Sequence, residues 1–233
     1  MSLLKEILPN EIVAVEQVGP PAGTLLKEEA ETLGQAVFSR RMEFAAGRSC
    51  ARGALEVLGV PAQPILRGIC REPIWPTGIV GSITHCAGYC AAAVARDCRI
   101  ESIGIDAEPN EPLPDGVLRE IATETEIRFL EELPPGLAHW DRLLFSAKES
   151  VYKAWYPIMK CWLGFEEARI TIYPADKTFQ ARILRDDPRA GADGGLFWSG
   201  RYAHNAGYVV TSLVIHRLAH RNWDDSAGLN GGV

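Results

Sequence analysis

Residues 79–108 read IVGSITHCAGYCAAAVARDCRIESIGIDAE, and this stretch decides the fold. Its apolar runs Ile79–His85, Tyr89–Arg96 and Ile100–Ala107 predict three consecutive strands. Ala87-Gly88-Tyr89 suits a tight turn between the first two. The third strand closes on Ile103-Gly104-Ile105-Asp106-Ala107-Glu108. Side chains alternate along a strand, so Asp106 and Glu108 share a face with Cα atoms about 7 Å apart, and Ile103 and Ile105 face the other way. Two carboxylates on one face repel unless they are solvated, protonated or bridged by a cation. A few hard oxygen ligands suit Mg2+, which keeps waters and also takes phosphate oxygens. Taken alone, the Asp-x-Glu pair reads more plainly as a solvated strand end.

Upstream, Glu11–Val18 alternates as a strand that Pro20, Pro21 and Gly23 break. Residues 27–58 carry a helical pattern, expected as two helices with a bend near Ser39. Val37, Phe44, Cys50, Ala54, Leu55 and Leu58 form its apolar stripe, and Arg40, Arg41, Arg48 and Arg52 lie largely off it. Gly59 and Pro61 end the segment, and residues 61–78 read as loop. Downstream of a loop holding Pro109, Pro112 and Pro114, helices are expected at 115–132 and 139–156. The second buries Trp140, Leu143, Leu144, Ala147, Val151, Ala154 and Trp155, and Pro157 is expected to end it. The last third reads as strands 167–173, 178–185, 195–203 and 207–216, with a polar loop Asp186–Gly195 and a Gly-rich tail 221–233. This order predicts an α+β fold, with helices packed on antiparallel sheets.

The bulk numbers exclude more than they assign. The 233 residues suffice for a sizeable core. With 24 Lys+Arg against 30 Asp+Glu the net charge is −6, which disfavours a nucleic-acid partner. No leader-like start or long apolar run occurs, so a cytoplasmic chain with no membrane association is expected. The six cysteines form no Cys-x-x-Cys pair, and a zinc site from His85, Cys86 and Cys90 lacks a fourth ligand at the usual spacing.

A second piece sits on the strongest helix: Phe145-Ser146-Ala147-Lys148-Glu149-Ser150-Val151-Tyr152-Lys153. Glu149 and Lys153 lie one turn apart and share a face, either as a surface ion pair or as a third metal carboxylate with lysines beside it for phosphate. In this order the pieces resemble the Sfp-type phosphopantetheinyl transferases. That family carries a Gly-Ile/Val-Asp-x-Glu strand followed by a Phe/Trp-x-x-Lys-Glu-Ala/Ser-x-x-Lys helix. The preceding Ser82-Ile83-Thr84-His85 also fits the family pattern, and Trp140-Asp141-Arg142, Lys153-Ala154-Trp155 and Trp162-Leu163-Gly164-Phe165 resemble its actinobacterial siderophore and polyketide subgroup.

The resemblance implies a fold of two similar α+β halves related by a pseudo-twofold, here about 1–100 and 101–220, with coenzyme A in the cleft between them. It implies a monomer that moves phosphopantetheine from coenzyme A to a serine of an apo acyl- or peptidyl-carrier protein, releasing 3′,5′-ADP. Asp106, Glu108 and Glu149 would hold Mg2+, with Mn2+ as an alternative. Glu149, or a metal-bound water beside it, would be the base, and Lys153 would stabilise charge on the β-phosphate. Thr84, His85, Asp106 and Lys148 would contact the coenzyme, and Arg40, Arg48 and Arg67 its 3′-phosphate. A carrier is expected to dock near residues 112–137 through Leu113, Val117, Leu118 and Leu133. One departure stands out: where the family usually has Gly-Lys/Arg-Pro, this chain has Arg71-Glu72-Pro73. Two rival readings remain, a non-catalytic coenzyme A-binding relative and another Mg-dependent phosphoryl-transfer enzyme.

Overall fold

The computed structural model describes residues 2–136, 138–185 and 196–217; the expected polar loop Asp186–Gly195 and the tail 221–233 lie outside them. The chain opens with α1 (Leu3–Ile7) and β1 (Val13–Val18). Too short to show a helical period, α1 escapes the sequence reading; Ser2 caps it, accepting from Lys5 N at 3.2 Å. The expected helical region 27–58 separates into α2 (Lys27–Glu31) and α3 (Phe38–Val57), with Gly34 at φ 52 in the turn between them. Strands β2 (Ile79–Cys86), β3 (Tyr89–Arg96) and β4 (Ile100–Pro109) follow as expected, and Gly88 takes φ 73 in the turn joining the first two.

The expected helix 115–132 is two: α4 (Val117–Ile121) and α5 (Glu124–Glu131). A reciprocal cap breaks it. Thr123 Oγ1 accepts from Glu126 N at 3.3 Å, and Glu126 Oε2 accepts from Thr123 N at 2.9 Å. Next comes α6 (Trp140–Met159), which Pro157 does not end. In the last turn that proline forfeits one backbone bond, and the helix stops at Lys160, at φ 52 with its N–H on Tyr156 O at 2.9 Å. Strands β5 (Ala168–Tyr173), β6 (Thr178–Ile183), β7 (Leu196–His204) and β8 (Tyr208–His216) complete the described chain.

All pairings are antiparallel, in a three-stranded sheet β1-β3-β2 and a five-stranded sheet β4-β8-β7-β6-β5. On the first sheet, α3 packs Ala46, Cys50, Ala51, Ala54 and Leu55 against Cys90, Ala92 and Val94 of β3. The opposite face of β3 meets Ile103, Ile105 and Ala107 of β4 in a central core that α1 caps. On the second sheet, α6 buries Leu143, Leu144, Val151 and Trp155, each worth about 1.5–3 kcal/mol of transfer free energy. Leu118 and Leu133, expected to meet a carrier, are partly buried against this core, and Leu113 is buried.

Two details set the site. A Cβ on Gly104 would stand 1.8 Å from Ser150 O, so only glycine lets α6 lie directly on β4. The two sheets also meet along β2 and β4, where side chains replace a backbone ladder. Ile105 N donates to Ser82 Oγ at 3.1 Å, and Ala107 N donates to Thr84 Oγ1 at 3.0 Å. The Ser-x-Thr of β2 therefore satisfies amides that the edge of β4 would otherwise leave unpaired.

Candidate active site

A cleft of about 300 Å3 lies between α3 and α6 above the β2–β4 seam. Its lining brings together Arg40, Arg48, Arg67, Thr84, His85, Asp106, Glu108, Glu149 and Lys153, nine of the ten side chains singled out from the sequence. The tenth, Lys148, is elsewhere. It is buried, with Nζ 3.0 Å from Glu126 Oε2 and 2.7 Å from Phe165 O, and it lines a smaller cavity with Tyr152, Trp162, Leu163 and Phe165. The structure thus places Lys148, expected to contact the coenzyme, outside the arginine-lined cleft, with its ammonium committed to a buried carboxylate.

At the carboxylate end, alternation on β4 and helical spacing on α6 aim the groups at one another. Asp106 Oδ1 accepts from Lys153 Nζ at 2.6 Å and from Thr84 Oγ1 at 3.2 Å. Glu108 accepts from Arg142 at 3.0 Å, and the same guanidinium donates to Glu111 O and Pro112 O, fixing the loop after β4. Burial and then Asp106 push Glu108 up to about 7, against the pull of Arg142. Burial likewise raises Glu149, opposed by Lys153 and aided by Asp106. For Lys153, burial alone would lower the pKa, but Asp106 and Glu149 outweigh it and hold the ammonium above its usual range.

At the basic end, Arg40 donates to His85 Nε2 at 2.8 Å, which leaves the imidazole proton on Nδ1, 3.8 Å from Glu43. Burial, then Arg40, lowers the His85 pKa, so the ring is neutral. Arg48 is buried, donating to Ile65 O at 2.7 Å and lying 4.1 Å over the Phe44 ring. It therefore secures the loop that carries Arg67 as well as lining the cleft. Burial, then its Arg67 neighbour against the pull of Glu29, lowers its pKa to about 10.

Does this end of the cleft suit a divalent cation? Asp106 Oδ2 is buried with no hydrogen-bond partner, and two neighbouring carboxyls are raised by burial, the signature of a site short of positive charge. The donors are all oxygen, which fits Mg2+ bound through few protein ligands. Among the described residues no three His, Cys, Asp or Glu side chains form a closed metal group, and Lys153 and Arg142 pair with Asp106 and Glu108. The arrangement fits an open site that a phosphate ligand would complete.

Sequence reasoning gave Glu43 no role, placed Phe44 on the apolar stripe and named Phe145 and Arg142 only as motif positions; Glu43, Phe44 and Phe145 line the cleft, and Arg142 holds Glu108. For Arg142 a signal existed: it lies seven residues, about two turns, before Glu149 on the same helix.

Comparison with known proteins places these features in context. Residues 28–95 match the 4′-phosphopantetheinyl transferase N-terminal domain, and residues 102–211 match the 4′-phosphopantetheinyl transferase superfamily. The chain is 47% identical over 201 residues to 4′-phosphopantetheinyl transferase PptT of Mycobacterium tuberculosis, covering 84% of this chain and 88% of that protein. It is 48% identical over 197 residues to the transferase Svp of Streptomyces mobaraensis, covering 84% and 80%. To Npt of Nocardia iowensis the identity is 42% over 223 residues, covering 91% and 99%.

Proposed function

Because this chain belongs to the 4′-phosphopantetheinyl transferase superfamily, we propose that its cleft transfers phosphopantetheine from coenzyme A to a serine of an apo acyl- or peptidyl-carrier protein. Coenzyme A is the donor substrate and a carrier protein the acceptor, as for the family. The observation that carries the site assignment is one cleft with carboxylates and a half-buried lysine at one end and arginines at the other. That polarity fits an elongated ligand with a pyrophosphate in its middle and a separate phosphate at its far end.

Arg40, Arg48 and Arg67 bind the 3′-phosphate, with the guanidiniums of Arg48 and Arg67 lying 4.1 and 5.8 Å from the centre of the Phe44 ring. His85 and Thr84 line the phosphate path, and Thr84 also orients Asp106. Lys153 faces the β-phosphate and offsets charge that grows there in transfer. The smaller cavity beside Glu149, about 120 Å3 and walled by Lys148, Tyr152, Trp162, Leu163 and Phe165, suits the apolar part of the pantetheine arm, with the Lys148 ammonium turned to Glu126.

Asp106, Glu108 and Glu149 would hold Mg2+, or Mn2+ in its place, and the ion when bound supplies charge neutralisation for the pyrophosphate. Glu149, its basicity raised by burial, accepts the serine proton directly or through a water. The serine oxygen bonds to the β-phosphorus, the bond from that phosphorus to the bridging oxygen breaks, and 3′,5′-ADP leaves with the electron pair. The two family matches meet between residues 95 and 102, which supports reading the chain as halves 1–100 and 101–220. The protein works as a cytoplasmic monomer in this reading, and no helix among the described residues is long and apolar enough to cross a membrane. Siderophore, polyketide or nonribosomal-peptide carriers are the acceptors that the subgroup resemblance favours.

Intact mass spectrometry of an apo carrier incubated with the protein, coenzyme A and Mg2+ tests this. A phosphopantetheine gain, lost with EDTA or in Glu149→Ala, supports it. No gain across several carriers with coenzyme A still bound would overturn it.

A further inference from the structure

The turn between Arg67 and Pro73 departs from the family pattern at Arg71, where glycine is usual, and the backbone shows why glycine suits it: Arg71 stands at φ 71. A Cβ makes that region unfavourable, while glycine enters it freely. The turn is held tightly. Gly68 N donates to Glu72 O at 2.8 Å, Arg71 N donates to Gly68 O at 3.1 Å, and Arg67 bridges Pro73. A long cation kept where glycine would relieve strain points to a function for its charge.

Its surroundings say which. Arg71 lines the cleft beside Arg40, Arg48 and Arg67, is exposed, and makes no side-chain hydrogen bond or ion pair among the described residues. The nearest acid in sequence, Glu72, turns away. Its carboxylate accepts from Cys70 N at 3.0 Å and folds over Gly68, where a Cβ would stand 2.1 Å from Oε1. The neighbouring arginines are occupied to different degrees: Arg40 by Glu43 and His85, Arg48 by two carbonyls. Burial, then Arg71 and Arg40, depress the Arg67 pKa, and no acid offsets them. The basic end therefore sets four arginines against Glu43 alone among its lining residues, an excess of positive charge that suits a ligand anion. The pyrophosphate belongs at the other end, beside Lys153 and the carboxylates.

We propose that Arg71 is a specificity-determining residue that binds the 3′-phosphate of the donor, so that the chain distinguishes coenzyme A from 3′-dephospho-coenzyme A. This rests on the proposed function for the identity of the donor.

Titration calorimetry on the parent, Arg71→Gly and Arg71→Lys tests it, with coenzyme A and 3′-dephospho-coenzyme A as the two probes. Glycine fits φ 71 without strain, so Arg71→Gly melts no lower than the parent. Its preference for coenzyme A over the dephospho form falls by about tenfold, the worth of one charge-assisted contact to phosphate. Arg71→Lys keeps most of the preference. A preference unchanged within about twofold, or an equal loss for both probes, overturns the assignment. Carrier modification is a separate readout. Arg71-dependent preference with no carrier modified would overturn the proposed function and leave the role of Arg71 standing.

Discussion

Replacing Lys148 with methionine separates the role its motif suggests from the role its surroundings impose. The Lys148–Glu126 pair is sealed from water, with side-chain exposures of 1% and 2%. Glu126 is a hub: it accepts from Thr123 N at 2.9 Å, from Ile170 N at 2.8 Å and from Lys148. It thereby ties the start of α5 to β5 and to α6. Methionine keeps most of the stem packing but removes the ammonium and strands a buried carboxylate. Breaking one partner of such a pair costs about 3–5 kcal/mol, a large part of the 5–15 kcal/mol typical of a folded domain. Urea unfolding followed by far-ultraviolet circular dichroism should show that loss as a lower midpoint at unchanged slope. Adding Glu126→Gln should recover part of it, because the stranded charge is gone. Below the melting range, KM for coenzyme A should stay within about threefold of the parent, since the Lys148 ammonium is held by Glu126 and Phe165 O and methionine keeps the stem beside the smaller cavity. A variant as stable as the parent with KM raised tenfold or more would refute this reasoning and restore Lys148 to the phosphate site.

Three further outcomes follow from the same geometry. Gly104→Ala puts a methyl 1.8 Å from Ser150 O, forcing α6 off β4; calorimetric melting should register about 1–3 kcal/mol, and transfer should fall about a hundredfold as Lys153 and Glu149 leave Asp106. Glu108 is raised from 4.5 to about 7 in the fold, so the folded state holds this proton more tightly than the unfolded chain does. Metal-free stability should therefore decline as pH rises across that window, and the thermal shift given by Mg2+ should grow from pH ~6 to ~8, as proton competition ends; a shift independent of pH would count against Glu108 as a ligand. Leu118→Asp should lower the unfolding midpoint, because this side chain packs on the α6 core; unchanged stability with loss of carrier modification alone would return Leu118 to a docking surface.

Strands were the most legible part of the sequence. The period-two pattern and the Gly and Pro breaks place β2, β3, β5 and β8 within a residue or so of their observed bounds. Helix boundaries failed where a side chain outvoted the pattern: Thr123 with Glu126 splits 115–132 at a cap, and Pro157 is absorbed by the last turn of α6. The carboxylates of the site were legible from alternation on β4 and spacing on α6. Lys148 was not, although the information was present. It is four residues after Leu144 and three before Val151, so it sits on the buried stripe, about 100° around the helix from Glu149. Arg71 was visible as a departure from a pattern, but its consequence needed the backbone angle.

Over the central apolar core, the hydroxyls of Ser82 and Thr84 stand in for backbone pairing along the seam between the two sheets. Each such bond contributes about 1 kcal/mol net, so along this line the molecule has a joint where a continuous ladder would have made a wall. Asp106 stands directly on that joint, beside Thr84. A ligand gripped by arginines of α3 on one side and by groups of β4 and α6 on the other would span it as a tie-rod spans two beams. Binding such a ligand and stiffening the joint would then be one mechanical event.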